Sequence, residues 1–350
     1  MLWIGIAIAA AFVLLLVVRA MGDAGKAATE PPAGVGPAKT KDSPKVEAAH
    51  RRSVPPKDKD EDEPEGTKVA SVPPPEAVVH KEMSVIAPLP EVGVDLMVED
   101  DPTGPQALIL VTAVGRTDPG RRRKHNEDAY LVMEDQAVFA IADGMGGYAA
   151  GEVASQLAVD VLSEAFKTNT FTGDSDPNTP RRGDELIRAI QMANTAILTQ
   201  ARANEAQSGM GTTIVSCRFS PNKQRVYLAH VGDSRCYRIR PDEIKQLTQD
   251  HTLGAVGITG PAASKLSRAV GIQDTVEVDL SVDAPHVGDY FLLCSDGLSK
   301  MVPEPMIGDI VRESPDLSAA VERLVSTAND RGGRDNVTVI LIRVQEPMKP

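Results

Sequence analysis

The sequence lacks an excess of basic residues. Its 37 lysines and arginines face 49 aspartates and glutamates, a formal net charge of -12 over 350 residues. A generic nucleic-acid-binding surface needs the opposite balance, so no nucleic-acid partner is expected. Cysteine is scarce too. Cys217, Cys236 and Cys294 sit in apolar, strand-like runs and show no CxxC spacing. They read as buried free thiols suited to a reducing compartment, and they exclude a cysteine-built metal site. The histidines are scattered along the sequence, at His125, His230, His251 and His286, with no histidine cluster accompanying the acids, and His50 and His80 lie in a proline-rich stretch. For a cation that leaves oxygen ligands, which suit Mg2+ or Mn2+ better than zinc.

What is present begins with an apolar run of seventeen residues, Leu2–Val18. At 1.5 Å per residue it is near the short limit for a bilayer core of roughly 30 Å. No basic residue precedes it and no small-residue cleavage site follows, so it reads as a transmembrane anchor rather than a cleaved signal peptide. From Arg19 to Lys59, nine basic residues face five acidic ones, which favours the cytoplasmic side. The expectation is a single pass through the inner membrane, with the rest of the chain inside. Residues 19–106 hold fourteen of the 26 prolines, including Pro73-Pro74-Pro75, and sustain no apolar periodicity. Such a segment buries too little apolar surface to fold and reads as a disordered linker. Its basic first half suits anionic lipid.

The folded domain is expected over 107–346. Leu108–Val114 reads as a first strand, and Val138–Asp143, an apolar run, as its hairpin partner. Leu157, Val161, Leu162 and Ala165 mark an amphipathic helix, and Leu186, Ile190, Ala193 and Ile197 a second one, with Asp184 as a candidate cap. Strands follow at Thr212–Phe219, Arg225–Val231 and Arg235–Arg240, with Gly232-Asp233-Ser234 read as a hairpin turn. Thr248–Gly271 has no period and reads as a surface segment. Tyr290–Ser295 reads as another buried strand. Ser314 and Pro315 suit the start of a helix, and Val337–Val344 reads as the last strand.

Four acids stand beside these strands: Asp143, Asp233, Asp296 and Asp335, each next to a glycine or an asparagine. A single aspartate there is usually a cap or a turn former. Four of them, with Glu127 and Asp128 in the stretch TDPGRRRKHNEDAY, are harder to explain as turns. Carboxylates that converge must be neutralised, and hard divalent cations do this.

Seven motifs then stand in order: TDPGRRRKHNEDA, FAIADGMGG, GMGTT, HVGDSRCY, LTQDHT, LLCSDGL and GRDNVTVI. Together they resemble the metal-dependent protein serine/threonine phosphatases of the PPM or PP2C type, over residues 110–344. The resemblance implies an α+β fold, a four-layer α-β-β-α sandwich, and hydrolysis of phosphoserine or phosphothreonine in proteins by a metal-activated water. It implies two tightly bound Mn2+ or Mg2+ ions. Asp143 and the carbonyl of Gly144 would hold metal, as would Asp296 and Asp335. Asp233 with Asp296 would hold a third, looser ion. Glu127 and Asp128 would position metal-bound waters, and Arg123 would bind phosphate, although Arg121, Arg122 and Lys124 flank it. Phosphorylated proteins and an opposing Ser/Thr kinase are the implied partners. Met145 stands where eukaryotic members carry a histidine proposed as general acid, and the segment from Asp250 to Gly271 is shorter than the usual bacterial flap. The other readings are a catalytically silent member of the fold acting as a tethered binding module, and a structural spacer.

Overall fold

The computed structural model describes residues 110–146, 150–220 and 225–346. The expected anchor (2–18) and linker (19–106) lie outside these residues. Among the described residues no helix is long and apolar enough to cross a membrane.

In chain order the strands are β1 (Leu110–Asp118), β2 (Asp128–Met133), β3 (Val138–Met145), β4 (Gly211–Thr212), β5 (Ile214–Phe219), β6 (Val226–Val231), β7 (Arg235–Arg240), β8 (Glu243–Gln246), β9 (Asp279–Asp283), β10 (Tyr290–Cys294) and β11 (Val337–Gln345). The helices are α1 (Ala150–Thr168), α2 (Arg181–Ala203), the single turn α3 (Asp296–Ser299), α4 (Glu304–Glu313) and α5 (Leu317–Asp330). One sheet runs in the order β1-β11-β10-β7-β8. The other runs β2-β3-β5-β6-β9, with β4 paired to the end of β3.

Side-chain alternation explains the layering. Along β3, Val138, Ala140 and Ala142 pack with α1 and α2, while Phe139 and Ile141 face the other sheet. Along β10, Leu292 and Cys294 face α4 and α5, while Phe291 and Leu293 face inward. A strand buried on both faces reads as a continuous apolar run, because successive side chains point to opposite sides. The middle core is keyed by edge-to-face contacts of Phe219 with Phe139 and Phe291, at 6.3 and 5.4 Å between centroids. The result is the expected four-layer sandwich, helices–sheet–sheet–helices.

Several local expectations are corrected. β3 pairs with β2, and β1 pairs with β11 in the opposite sheet. Gly232-Asp233-Ser234 is not a hairpin turn: β6 and β7 belong to different sheets, so these residues cross the sandwich. Asp184 does not cap α2, which starts three residues earlier; it accepts hydrogen bonds from the Asp176 N–H and the Ser175 hydroxyl instead. Asp316, rather than Ser314, caps α5, its carboxylate accepting from the Ala319 N–H at 2.8 Å. The helix α4 and the strands β2, β8 and β9 were not anticipated.

Candidate metal centre

The functional side chains gather at one end of the sandwich, where strands of both sheets stop. Asp143 ends the buried stretch of β3 and lies directly across from Asp128 on β2. Its backbone is fixed from both sides: its N–H donates to the Thr213 hydroxyl at 3.2 Å, and its carbonyl accepts from the Thr213 N–H at 2.8 Å. The next residue has no room for a side chain. A Cβ on Gly144 would run into the Gly151 and Glu127 carbonyl oxygens. The turn therefore presents Asp143 with the chain pressed against α1 and the Glu127 strand entry.

The opposite sheet supplies Asp296 and Asp335. Asp296 follows β10 and opens α3. Gly297 lets that turn pack onto the Asn336 carbonyl, closer than any Cβ allows. Asp335 precedes β11; its Oδ1 accepts from the Asn336 N–H at 2.9 Å and its Oδ2 from Arg123 Nη2 at 2.8 Å. Asp233 arrives on the inter-sheet crossing. His251 holds that crossing: the Gly232 N–H donates to His251 Nδ1 at 3.1 Å, and the His251 N–H returns to the Gly232 carbonyl at 2.9 Å.

Asp143, Gly144, Asp233, Asp296, Asp335, Glu127 and Arg123 all line one cavity of about 230 Å3, with Met145, Thr213, Ser264, Leu266 and Lys300. Seven of the eight expected site residues thus meet. The eighth, Asp128, lies just beneath, 8% exposed. Its Oδ2 accepts from the Ser295 hydroxyl at 2.8 Å and the Thr338 hydroxyl at 2.6 Å. Its Oδ1 is buried with no partner among the described residues. A buried carboxylate oxygen left unpaired is costly.

The electrostatics express the same crowding. Burial, followed by the Asp128, Asp296, Asp233 and Asp335 carboxylates, pushes the Asp143 carboxyl well above its ordinary range. Burial pushes Asp128 up to about 7, against its two hydroxyl donors. Burial raises Glu127 and Asp233 as well, the latter with help from Asp296. Like carboxylates in one desolvated place resist ionising together. The donor set is all oxygen, with no histidine in the cavity, and it fits hard divalent cations: they would neutralise the cluster and engage the orphaned Asp128 oxygen, directly or through water.

A family profile, protein phosphatase 2C, matches residues 120–341. The chain belongs to the protein phosphatase 2C family. The serine/threonine phosphatase stp of Listeria welshimeri is 39% identical over 241 residues, 65% of this chain and 93% of that protein. The serine/threonine protein phosphatase PstP of Mycobacterium tuberculosis is 35% identical over 253 residues, 68% of this chain and 46% of that one. The crystal structure of the latter's phosphatase aligns with a TM-score of 0.60 at 34% identity, covering 68% of this chain and all of that one. The catalytic domain of PstP in complex with two manganese ions aligns at 0.59 and 34% identity, with the same coverage.

Within this phosphatase 2C site, four contributors carried no role in the sequence reading. Ser295 and Thr338 hold Asp128. Asn336 binds the β1–β2 connection: its Oδ1 accepts from the Glu127 N–H at 2.8 Å, and its Nδ2 donates to the His125 and Pro119 carbonyls at 2.9 and 3.0 Å. Lys300 is the fourth, its ammonium reaching Asp233 and Asp296. All stand within or next to the quoted motifs, so adjacency to a motif acid was the available signal.

Proposed function

We infer that this chain is a metal-dependent phosphatase acting on phosphoserine and phosphothreonine in proteins. The observation that carries this reading is the convergence of five carboxylates and one arginine on a single small cavity, without a histidine or a reactive thiol. Asp143, the Gly144 carbonyl, Asp296 and Asp335 would hold two divalent ions, Mn2+ or Mg2+. Such ions, when bound, lower the pKa of a shared water and screen charge on a phosphoryl group.

The chain's own groups do the rest. Asp128 and Glu127 accept hydrogen bonds from water at the centre, Asp128 through its unpaired Oδ1. Arg123 stands at the rim with half its side chain exposed, anchored by Asp335 through one nitrogen. Its other terminal nitrogen lies 3.7 Å from Glu127 Oε2, and the side chain lines the cavity, where a planar guanidinium would match the oxygens of an entering phosphoryl group in pairs. Met145 has no proton to give, so the departing serine or threonine oxygen takes its proton from water or from another group. No enzyme nucleophile is needed. Cys294, two residues before Asp296, faces the helix–sheet core, and burial pushes its thiol up to about 12.

The chain's targets are phosphorylated proteins, opposed by a Ser/Thr kinase, and the apolar Leu2–Val18 run supports attachment to the inner membrane with this domain in the cytoplasm. No observation favours the silent binding module. The test is phosphate release from a phosphothreonine peptide with Mn2+, abolished by chelation. Activity retained in excess chelator would refute the reading.

A further inference from the structure

We propose that the Lys300 ammonium is a resident cation that takes the place of a third metal ion between Asp233 and Asp296, leaving a two-ion centre. The proposal rests on the metal-centre reading given above.

Lys300 Nζ lies 3.3 Å from Asp233 Oδ2 and closer still to Asp296 Oδ2. The position is built into the backbone. The Lys300 N–H donates to the Asp296 carbonyl at 2.8 Å, closing the turn of α3. Residues four apart on a turn share one face, so the ammonium folds back onto the carboxylate that begins the turn. Asp233 then completes the pair from the inter-sheet crossing.

The charges require such a partner. Asp233 is 6% exposed, and an ionised carboxylate so placed needs compensation. Among the described residues, Lys300 is the only basic side chain ion-paired with Asp233 or Asp296. The nearby Arg235 is committed to Asp250 by two hydrogen bonds at 2.7 and 2.9 Å. A divalent ion seated between the two acids would meet the Lys300 ammonium at contact distance. It binds only if Lys300 is driven out, so the residues at this position do not fit a third ion while the lysine is in place. One consequence is a positive charge at the cavity wall that does not depend on metal concentration.

Calorimetric titration of the full chain with MnCl2, after removal of metal by chelation, tests this. The wild type should bind two ions. Lys300→Gln should bind three, the third tightened by roughly tenfold or more, since ligand charge count sets the affinity of hard cations. Lys300→Arg, which keeps the charge, should stay at two, and adding Asp233→Asn to Lys300→Gln should return the count to two. Lys300→Gln should also lower the melting temperature of the metal-free protein and leave that of the Mn2+-saturated protein closer to wild type. A wild type that binds a third ion as tightly as Lys300→Gln overturns the proposal while leaving the two-ion reading intact. A wild type that binds no Mn2+ overturns both.

Discussion

At the scale of single residues, the site is a set of carboxylates held against their own repulsion. Asp128 is the clearest case, with two hydroxyl donors on one oxygen and none on the other. An unperturbed aspartate titrates near 3.9, whereas burial moves this one to about 7. Between those values the folded metal-free chain keeps a proton that the unfolded chain has released. The associated stability is full below about 4 and is lost as pH rises through about 7. Asp143 and Asp233 shift in the same direction, while His230, lowered by burial, works against them. The melting temperature of the metal-free protein should therefore fall between pH 5 and 8. Asp128→Asn should flatten that fall, and saturating Mn2+ should remove most of it. Scanning fluorimetry across pH checks this; identical slopes for wild type and Asp128→Asn would contradict it. Arg123 gives a second residue-scale expectation. Arg123→Ala should raise KM for a phosphopeptide roughly ten- to a hundredfold, the range of one charge-assisted hydrogen bond, while the protein still binds two Mn2+ ions.

At the scale of elements, the site depends on how loops are tied to strand ends. Asn336 joins the start of β11 to the β1–β2 connection through three hydrogen bonds and is 3% exposed. Asn336→Ala removes all three hydrogen bonds and should cost about 2–4 kcal/mol, at about 0.5–1.5 per bond. Urea unfolding measures it, and a loss below about 0.5 kcal/mol would show that the connection is held by other contacts. The same scale explains what could be read in advance. β3, β10, β11, α1 and α2 were legible because burial on both faces, or on one stripe, writes a period into the sequence. Asp143 and Asp296 were legible because a charge ends an apolar run. Gly232-Asp233-Ser234 was not: three residues joining two strands look alike whether they turn back in one sheet or cross to the other, and the His251 bonds that hold the crossing come from nineteen residues away. The helix α4 was hidden by Pro305 and Gly308, which weaken a helical pattern. The start of α5 was read two residues early because Ser314 followed by Pro315 suits a helix start, whereas Asp316 makes the cap.

At the scale of the whole molecule, two sheets from opposite sides of the sandwich each deliver acids to one end: Asp143 from one, Asp296 and Asp335 from the other. Asp233 comes from the chain that passes between them. The centre is thus a product of sheet packing, and the 230 Å3 cavity is lined only by residues between Arg123 and Asp335. A chain beginning at Ala107 should be soluble and should turn over a small phosphoester at the full-length rate, as steady-state assay would check. Loss of turnover on that truncation would place part of residues 1–106 in the site. A reporter fused after Pro350 should be active as a cytoplasmic reporter and silent as a periplasmic one, given the basic excess after Leu2–Val18.

The central claim is that clustered carboxylates act by holding two cations, and Asp143 is the carboxylate the others crowd most. Asp143→Asn keeps the shape and removes the charge. Mn2+-dependent release of phosphate from a phosphothreonine peptide, measured on a sample whose melting curve shows it folded, should fall by roughly a thousandfold or more, as electrostatic and metal contributions of this kind do, with excess Mn2+ restoring only part. A folded Asp143→Asn protein with near-normal activity would contradict the account.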